Sequence, residues 1–278
     1  MTVDEKLAAI LAAIQTDPGN RGLAELFAVC PDDFAAACRS ISEVEYPGLW
    51  IVTGFYIPTA EPPAFETDGP LGALFLMRAL TRVRGTSSCR AELPVQGAVG
   101  WGMRFADYEY AECVSPSHVI FLERGGPSAG GRRHTMRGQD ITAHLDLNHE
   151  KSPSGIVTIG IGDGGNEIGM GKIPHEIVAR NIPNGDLIHC RVPTDHLIVA
   201  GVSNWGAYAL AAGIYVLRGI KPPADLFDPD REREILEVMV KHGPLVDGVT
   251  GKQTATVDGL TWDEYVKPLI RIREILES

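Results

Sequence analysis

Short, almost wholly apolar runs recur along this chain, and they constrain its fold more than any other feature. Leu49–Val52, His118–Leu122, Gly155–Ile161, Leu187–Arg191 and His196–Gly201 each lack the apolar/polar alternation of a strand with one wet face. Runs of this kind belong to strands covered on both sides, which is the situation in a parallel sheet. Helical periodicity separates them. Thr2 and Glu5 stand at capping-box spacing ahead of Leu7, Ile10, Leu11 and Ile14, so residues 2–16 form an amphipathic helix. A second helix is expected after Cys30, with Pro31 in its first turn, and others over 72–83, 168–180, 205–218, 231–242 and 262–277. Strands alternating with helices at this spacing predict an α/β fold, a mostly parallel sheet with helices on both faces in a Rossmann-like three-layer arrangement. Residues 1–44 read as a helical leader and 45–278 as the α/β domain.

The most informative segment lies just after one of these runs, at Gly160–Lys172 (GIGDGGNEIGMGK). Its Gly160, Gly162 and Gly165 have the spacing of a dinucleotide-binding loop, but Asp163 would repel a pyrophosphate approaching the backbone there. A cation site suits the residues better. Asp163, Asn166 and Glu167 are hard oxygen donors of the type Mg²⁺ or Mn²⁺ prefers, and Gly164 and Gly165 let the backbone fold them together. Lys172 could balance an anionic substrate beside the ion. The alternative is a tight turn whose Asp and Asn merely cap a helix. A second acidic turn, Glu66-Thr-Asp68-Gly-Pro70, also sits between an apolar run and a helix, where a simple N-cap is an equally ordinary use. Ligands of open α/β sheets bind beyond the carboxyl ends of strands, so two acidic turns there make a divalent-ion site plausible. Ser203, Asn204 and Trp205 open another helix, as an anion pocket or as a cap with the indole in the core. Glu123-Arg124 ends a further run, lining the site or pairing internally.

Composition narrows the function classes. The chain has 25 Lys+Arg against 36 Asp+Glu, a net charge of -11, with no basic stripe, which argues against nucleic acid. No apolar stretch reaches the length of a membrane span. The 5 cysteines include no Cys-x-x-Cys pair and, with no secretory start, read as reduced thiols of a cytoplasmic protein. The expected partner is a small anionic molecule, and a homodimer is among the assemblies open to the chain.

These segments resemble the D-glutamate cyclase-like C-terminal family. The resemblance rests on Gly160–Lys172 together with Thr53-Gly-Phe55 and Pro58, Glu66–Ala73, Ala200–Gly206 and Asp247–Gly251, and spans about residues 45–278. It implies an α/β domain that uses a divalent metal, Mn²⁺ ahead of Mg²⁺, and converts D-glutamate to 5-oxo-D-proline with loss of water. On that reading Asp163 and Asp68 hold the metal, supported by Glu66 and Asn166. Glu167, then Lys172, serves as the base, while Arg124 and the amides after Ser203 take the α-carboxylate. The loop Gly131–Gly138 carries Arg132, Arg133 and Arg137 where a tyrosine-rich stretch is expected. That change suits a more anionic ligand, so a metal-dependent phosphohydrolase with these arginines on the phosphate is the second reading. A metal- or anion-binding protein without turnover is the third.

Overall fold

The computed structural model describes residues 1–108 and 112–278. In chain order its elements are α1 (Val3–Ile14), α2 (Ala24–Phe27), α3 (Asp33–Ser42), β1 (Gly48–Thr53), β2 (Tyr56–Ile57), β3 (Ala64–Glu66) and α4 (Pro70–Leu80). There follow β4 (Thr86–Arg90), α5 (Leu93–Phe105), β5 (His118–Leu122), β6 (Val157–Gly162), α6 (His175–Asn181), α7 (Gly185–Ile188) and β7 (His196–Val199). The chain closes with α8 (Ser203–Arg218), α9 (Pro229–His242), β8 (Leu245–Val246), α10 (Trp262–Tyr265) and α11 (Lys267–Glu277).

Five strands form an all-parallel sheet in the order β4-β1-β5-β6-β7. Successive side chains of a strand point to opposite faces, so each apolar run feeds two cores at once. Leu49, Ile51, Ile120, Leu122, Ile159, Ile161 and Ile198 face the larger core, which α1, α3, α4, α5, α8, α9 and α11 cover. Val52, Val119, Phe121, Leu197 and Val199 face the smaller one, filled by Leu23 and Leu26 around α2, Ile168 and Met170, and Val178, Ile182 and Ile188 around α6 and α7. The α/β three-layer architecture expected from the apolar runs is present. Residues 1–44 contribute to both cores, with Leu7, Ile10, Phe34 and Ile41 in one and Leu23 and Leu26 in the other.

Three local expectations differ from the structure. Leu187–Arg191 forms no strand: Gly185–Ile188 is a short helix and the chain then leaves it in an irregular path. The helix expected over 168–180 begins only at His175, because Gly169, at φ +112°, turns the chain where a helix would need negative φ. The helix after Cys30 starts at Asp33, past Pro31. Two elements were not anticipated from the sequence. Strand β4, Thr-Ser-Ser-Cys-Arg, is a polar edge strand, and α5 carries Pro94 and several glycines.

In this strand order β1 leads outward to β4, and the chain then returns to the other side of β1 at β5. The topology therefore switches direction between β1 and β5, which opens a crevice at their carboxyl ends. A small sheet, β2-β3-β8, roofs that end, with β2 antiparallel to β3 and β3 parallel to β8.

Candidate functional site

The crevice is a cavity of about 170 Å³ lined by residues that follow β1, β5 and β6 (Phe55, Glu123, Asp163) and by residues from the roof, among them Glu66, Gly248 and Asp258. Five carboxylates line it, those of Glu66, Glu123, Asp163, Glu167 and Asp258, against two arginines, Arg21 and Arg137. Each acid has a structural reason to be there. Glu123 is the first residue after β5 and takes a left-handed φ of +45°, an uncommon state for a non-glycine residue. Its Oε2 accepts a 2.6 Å hydrogen bond from Ser203 Oγ. Asp163 follows β6, and its backbone N–H donates to Glu167 Oε1 at 3.1 Å, closing the tight turn that brings both side chains to one place. Asn166 is pinned by its Nδ2, which donates to the His134 carbonyl at 2.8 Å.

Asp68 and Asn204 show how the two acidic turns are joined. The backbone N–H groups of Ser203 and Asn204 donate to the Asp68 carboxylate at 2.9 and 2.8 Å, so Asp68 caps α8 from a distant loop. Asn204 Oδ1 in turn accepts from Gly69 and Gly72 N–H at 2.9 and 2.8 Å and caps α4. Both residues are caps, though each of the other's helix rather than of the one it adjoins, and the free amides expected after Ser203 are already occupied.

The electrostatics are crowded. Burial, added to the charges of Asp258 and Asp68, holds the Glu66 carboxyl well above the ordinary carboxylate range. Burial with Asp258 and Asp163 does the same to Asp68, and burial with Asp163 and Glu167 to Glu123. Burial pushes Asp163 up to about 6 and Asp258 up to about 7, even though each faces the Arg21 guanidinium. Arg21 itself stays firmly cationic: burial opposes its charge, but Asp163, Asp258 and Glu123 outweigh it. Such a gathering of like charges persists only where something else compensates.

The donor set fits a divalent cation. Carboxylate oxygens of Asp68, Asp163 and Asp258 lie within 4.8 Å of one another, as do those of Glu123, Asp163 and Glu167. Asn166 Oδ1 and Glu167 Oε2 are buried without any hydrogen-bond partner. Buried acceptors rarely go unpaired, so two of them beside converging carboxylates mark where a hard cation is accommodated.

The structure brings Glu66, Glu123, Asp163, Asn166 and Glu167 to the cavity wall, with Asp68 beside them. It takes others away. Lys172 lies outside the cavity, its ammonium on the Asp33 carboxylate and, at 2.8 Å, the Asp195 carbonyl. Arg124 is fully buried, does not line the cavity, and has each of its nitrogens engaged, by Glu92 at 2.9 Å, Glu150 at 3.2 Å and the Asp146 carbonyl at 3.0 Å, so it is not placed to take a substrate carboxylate. Trp205 is a core residue whose Nε1 donates to the Tyr265 carbonyl at 2.9 Å. Gly164 and Gly165 shape the turn without lining the cavity; a side chain at 164 would meet Asn166 Oδ1 at 2.6 Å. Of the three loop arginines, Arg132 pairs with Asp140 at the surface and Arg133 with Glu150, and only Arg137 reaches the cavity. Arg21, Asp258 and Gln139 are among the lining residues that were not anticipated. Arg21 comes from the turn between α1 and α2, a polar segment with no motif to distinguish it. Asp258 sits in a Val-Asp-Gly turn at φ +56°, and Gln139 follows the arginine loop.

A family model described as D-glutamate cyclase-like, C-terminal matches residues 10–92 and 87–273. The chain is also 30% identical, over an alignment of 330 positions, to the human protein named D-glutamate cyclase, mitochondrial. That alignment takes in 98% of this chain and 52% of the human protein, so the chain spans about half the length of the relative it matches. No helix among the described residues is long and apolar enough to cross a membrane.

Proposed function

The chain belongs to the D-glutamate cyclase-like C-terminal family, and from that premise we propose that it is a metal-dependent lyase closing D-glutamate, or a closely related amino acid, to 5-oxo-D-proline. The observation that carries the reading is the cavity itself, where buried oxygens without partners meet more carboxylates than arginines. Asp163 would hold the cation with Asp68 and Asp258, and Glu66 and the Asn166 carbonyl oxygen would support them; Mn²⁺ stands ahead of Mg²⁺. The ion would supply a Lewis acid against the side-chain carboxylate of the substrate, making its carbon more electrophilic.

The protein's own groups then have three tasks. Arg137, at the cavity mouth, donates to Thr59 Oγ1 and the Val249 carbonyl, which holds its guanidinium ready for the α-carboxylate. Phe55, Ile57 and Met136 wall the cavity with apolar surface and limit competing water. Glu167 lines the cavity with its Oε2 unpartnered and takes a proton from the substrate ammonium, since only a free amine can attack. The nitrogen forms a bond to the side-chain carboxyl carbon and a carbon–oxygen bond breaks. The two protons lost from nitrogen leave with that oxygen as water.

The test is an assay of metal-loaded protein for 5-oxo-D-proline from D-glutamate, with L-glutamate and simple phosphate esters alongside. Cyclisation that stops on chelation is the expected result. Release of phosphate from the esters without cyclisation would overturn the reading in favour of a phosphohydrolase, which the engaged Arg132 and Arg133 do not favour.

A further inference from the structure

Arg21 is the one pocket residue contributed by residues 1–44. It arrives from the turn between α1 and α2 and places its two terminal nitrogens on two different acids, Nη1 against Asp163 Oδ2 and Nη2 against Asp258 Oδ2 at 2.9 Å. All three side chains are nearly buried, at 13% exposure for the arginine and 5% and 8% for the acids. Asp163 and Asp258 belong to the trio whose oxygens converge closely enough for one ion. A guanidinium spanning these oxygens and a metal ion bound by them compete for the same lone pairs.

We propose that Arg21 is the resident counter-cation of the site: it holds the Asp163–Asp258 pair while no metal is bound, yields the pair to a divalent ion, and so sets the affinity of the site for metal. The inference rests on the metal-site reading above and adds to it a residue and a competition.

Two features of the geometry support displacement rather than permanent pairing. Asp163 Oδ2 and Asp258 Oδ2 each meet the fork and accept no backbone hydrogen bond, so departure of the guanidinium frees both oxygens for an ion. The backbone beneath the fork is, by contrast, firmly held. Asp17 accepts hydrogen bonds from the N–H groups of Arg21, Gly22 and Leu23 at 2.8, 2.8 and 3.1 Å. Gly22, at φ +93°, packs so tightly on the Asn181 carbonyl that a Cβ would lie 2.2 Å from its oxygen. An anchored backbone under a long side chain lets the guanidinium move by rotamer alone, without unfolding the turn.

Charge explains why such a residue is needed. Without a cation among them, Glu66, Asp68, Glu123, Asp163, Glu167 and Asp258 repel one another in a buried space, and the fold would carry that cost whenever metal is absent. Arg21 covers the metal-free state at the expense of affinity in the loaded one.

The experiment measures Mn²⁺ binding to metal-free protein by calorimetry or electron paramagnetic resonance, with no substrate present. R21Q removes the competitor and is expected to bind Mn²⁺ about tenfold more tightly than wild type, a difference of about 1.4 kcal/mol. D17A keeps every pocket charge but loosens the turn, and a smaller shift in the same direction is expected. A folded R21Q with unchanged or weaker Mn²⁺ affinity overturns the proposal. Should R21Q fail to fold, D17A decides: tighter binding supports the proposal and unchanged binding overturns it. Absence of Mn²⁺ binding in both wild type and R21Q would instead bring down the metal-site reading itself.

Discussion

Two buried clusters of charge lie close together in this protein, and they are built on opposite principles. Around Arg124, cations and anions match: its guanidinium meets Glu92 and Glu150, Glu150 also meets Arg133, and the remaining donors reach the carbonyls of Gly54 and Asp146. In the cavity next to it, carboxylates outnumber arginines and two acceptor oxygens have no partner. The matched cluster fastens the segment after β5 to the start of α5. The unmatched one leaves valence for something from outside. Density of buried charge therefore does not mark the working site; its imbalance does.

The comparison can be broken most forcefully at Arg124. Replacing it with Met leaves the largely buried Glu92 without its cation and Glu150 with Arg133 alone, and a loss of about 3–5 kcal/mol in urea unfolding is expected. If R124M unfolds like wild type, the matched cluster is not structural. At Glu167 the opposite pattern is expected. E167Q should lower turnover about 10²–10⁴-fold, the span of a lost general base, while stability holds or rises because one of several crowded negative charges has gone. A variant as unstable as R124M would mean that the two clusters do the same job.

Lys172 sharpens the contrast by lying outside both. Its ammonium serves Asp33 and the Asp195 carbonyl, so K172M should cost at most about 1 kcal/mol and leave turnover unchanged. A large loss of activity in a stable K172M would return Lys172 to the chemistry. The smallest effect is expected at the foot of β5, the strand whose other end delivers Glu123. His118 is buried there with Ser117 Oγ at 2.8 Å and Ser40 Oγ at 3.2 Å on its two ring nitrogens. Burial, with a lesser effect from the charge of His196, depresses its pKa to about 4. The unfolded chain takes up this proton near the ordinary histidine value of about 6.5 and the folded one only near the lower value. The stabilisation is therefore complete above about pH 6.5 and fades as the pH falls toward 4. H118Q should flatten that acid limb of a stability-versus-pH curve, whereas an unchanged limb would place its origin elsewhere.

The sequence exposed the parallel sheet because a strand covered on both faces must be apolar along its whole length, and β1, β5, β6 and β7 obey that rule. It concealed β4, whose Thr-Ser-Ser-Cys-Arg lies at the sheet edge and needs no such pattern. Ile168, Met170 and Ile173 imitated a helical stripe, although they are apolar residues of a folded turn that point into the smaller core. The acidic turns at Glu66–Asp68 and Asp163–Glu167 were legible as candidates since glycines and oxygen donors cluster in them. Whether each residue of those segments would line a cavity, cap a helix or enter a core was not.

Asp68 and Asn204 illustrate the division. Residue type and place in the chain made both fit to cap a helix or to bind a ligand. Only the approach of α4 and α8 decided that each caps the other's helix, while Asp68 still presents its carboxylate to Asp163 and Asp258. Arg21 marks the other limit. Local pattern carries the strand, the turn and the donor type, because neighbours in sequence determine those. The meeting of an arginine from the first turn of the fold with acids that follow β6 and β8 depends on how layers pack, and packing is a property of the folded chain as a whole.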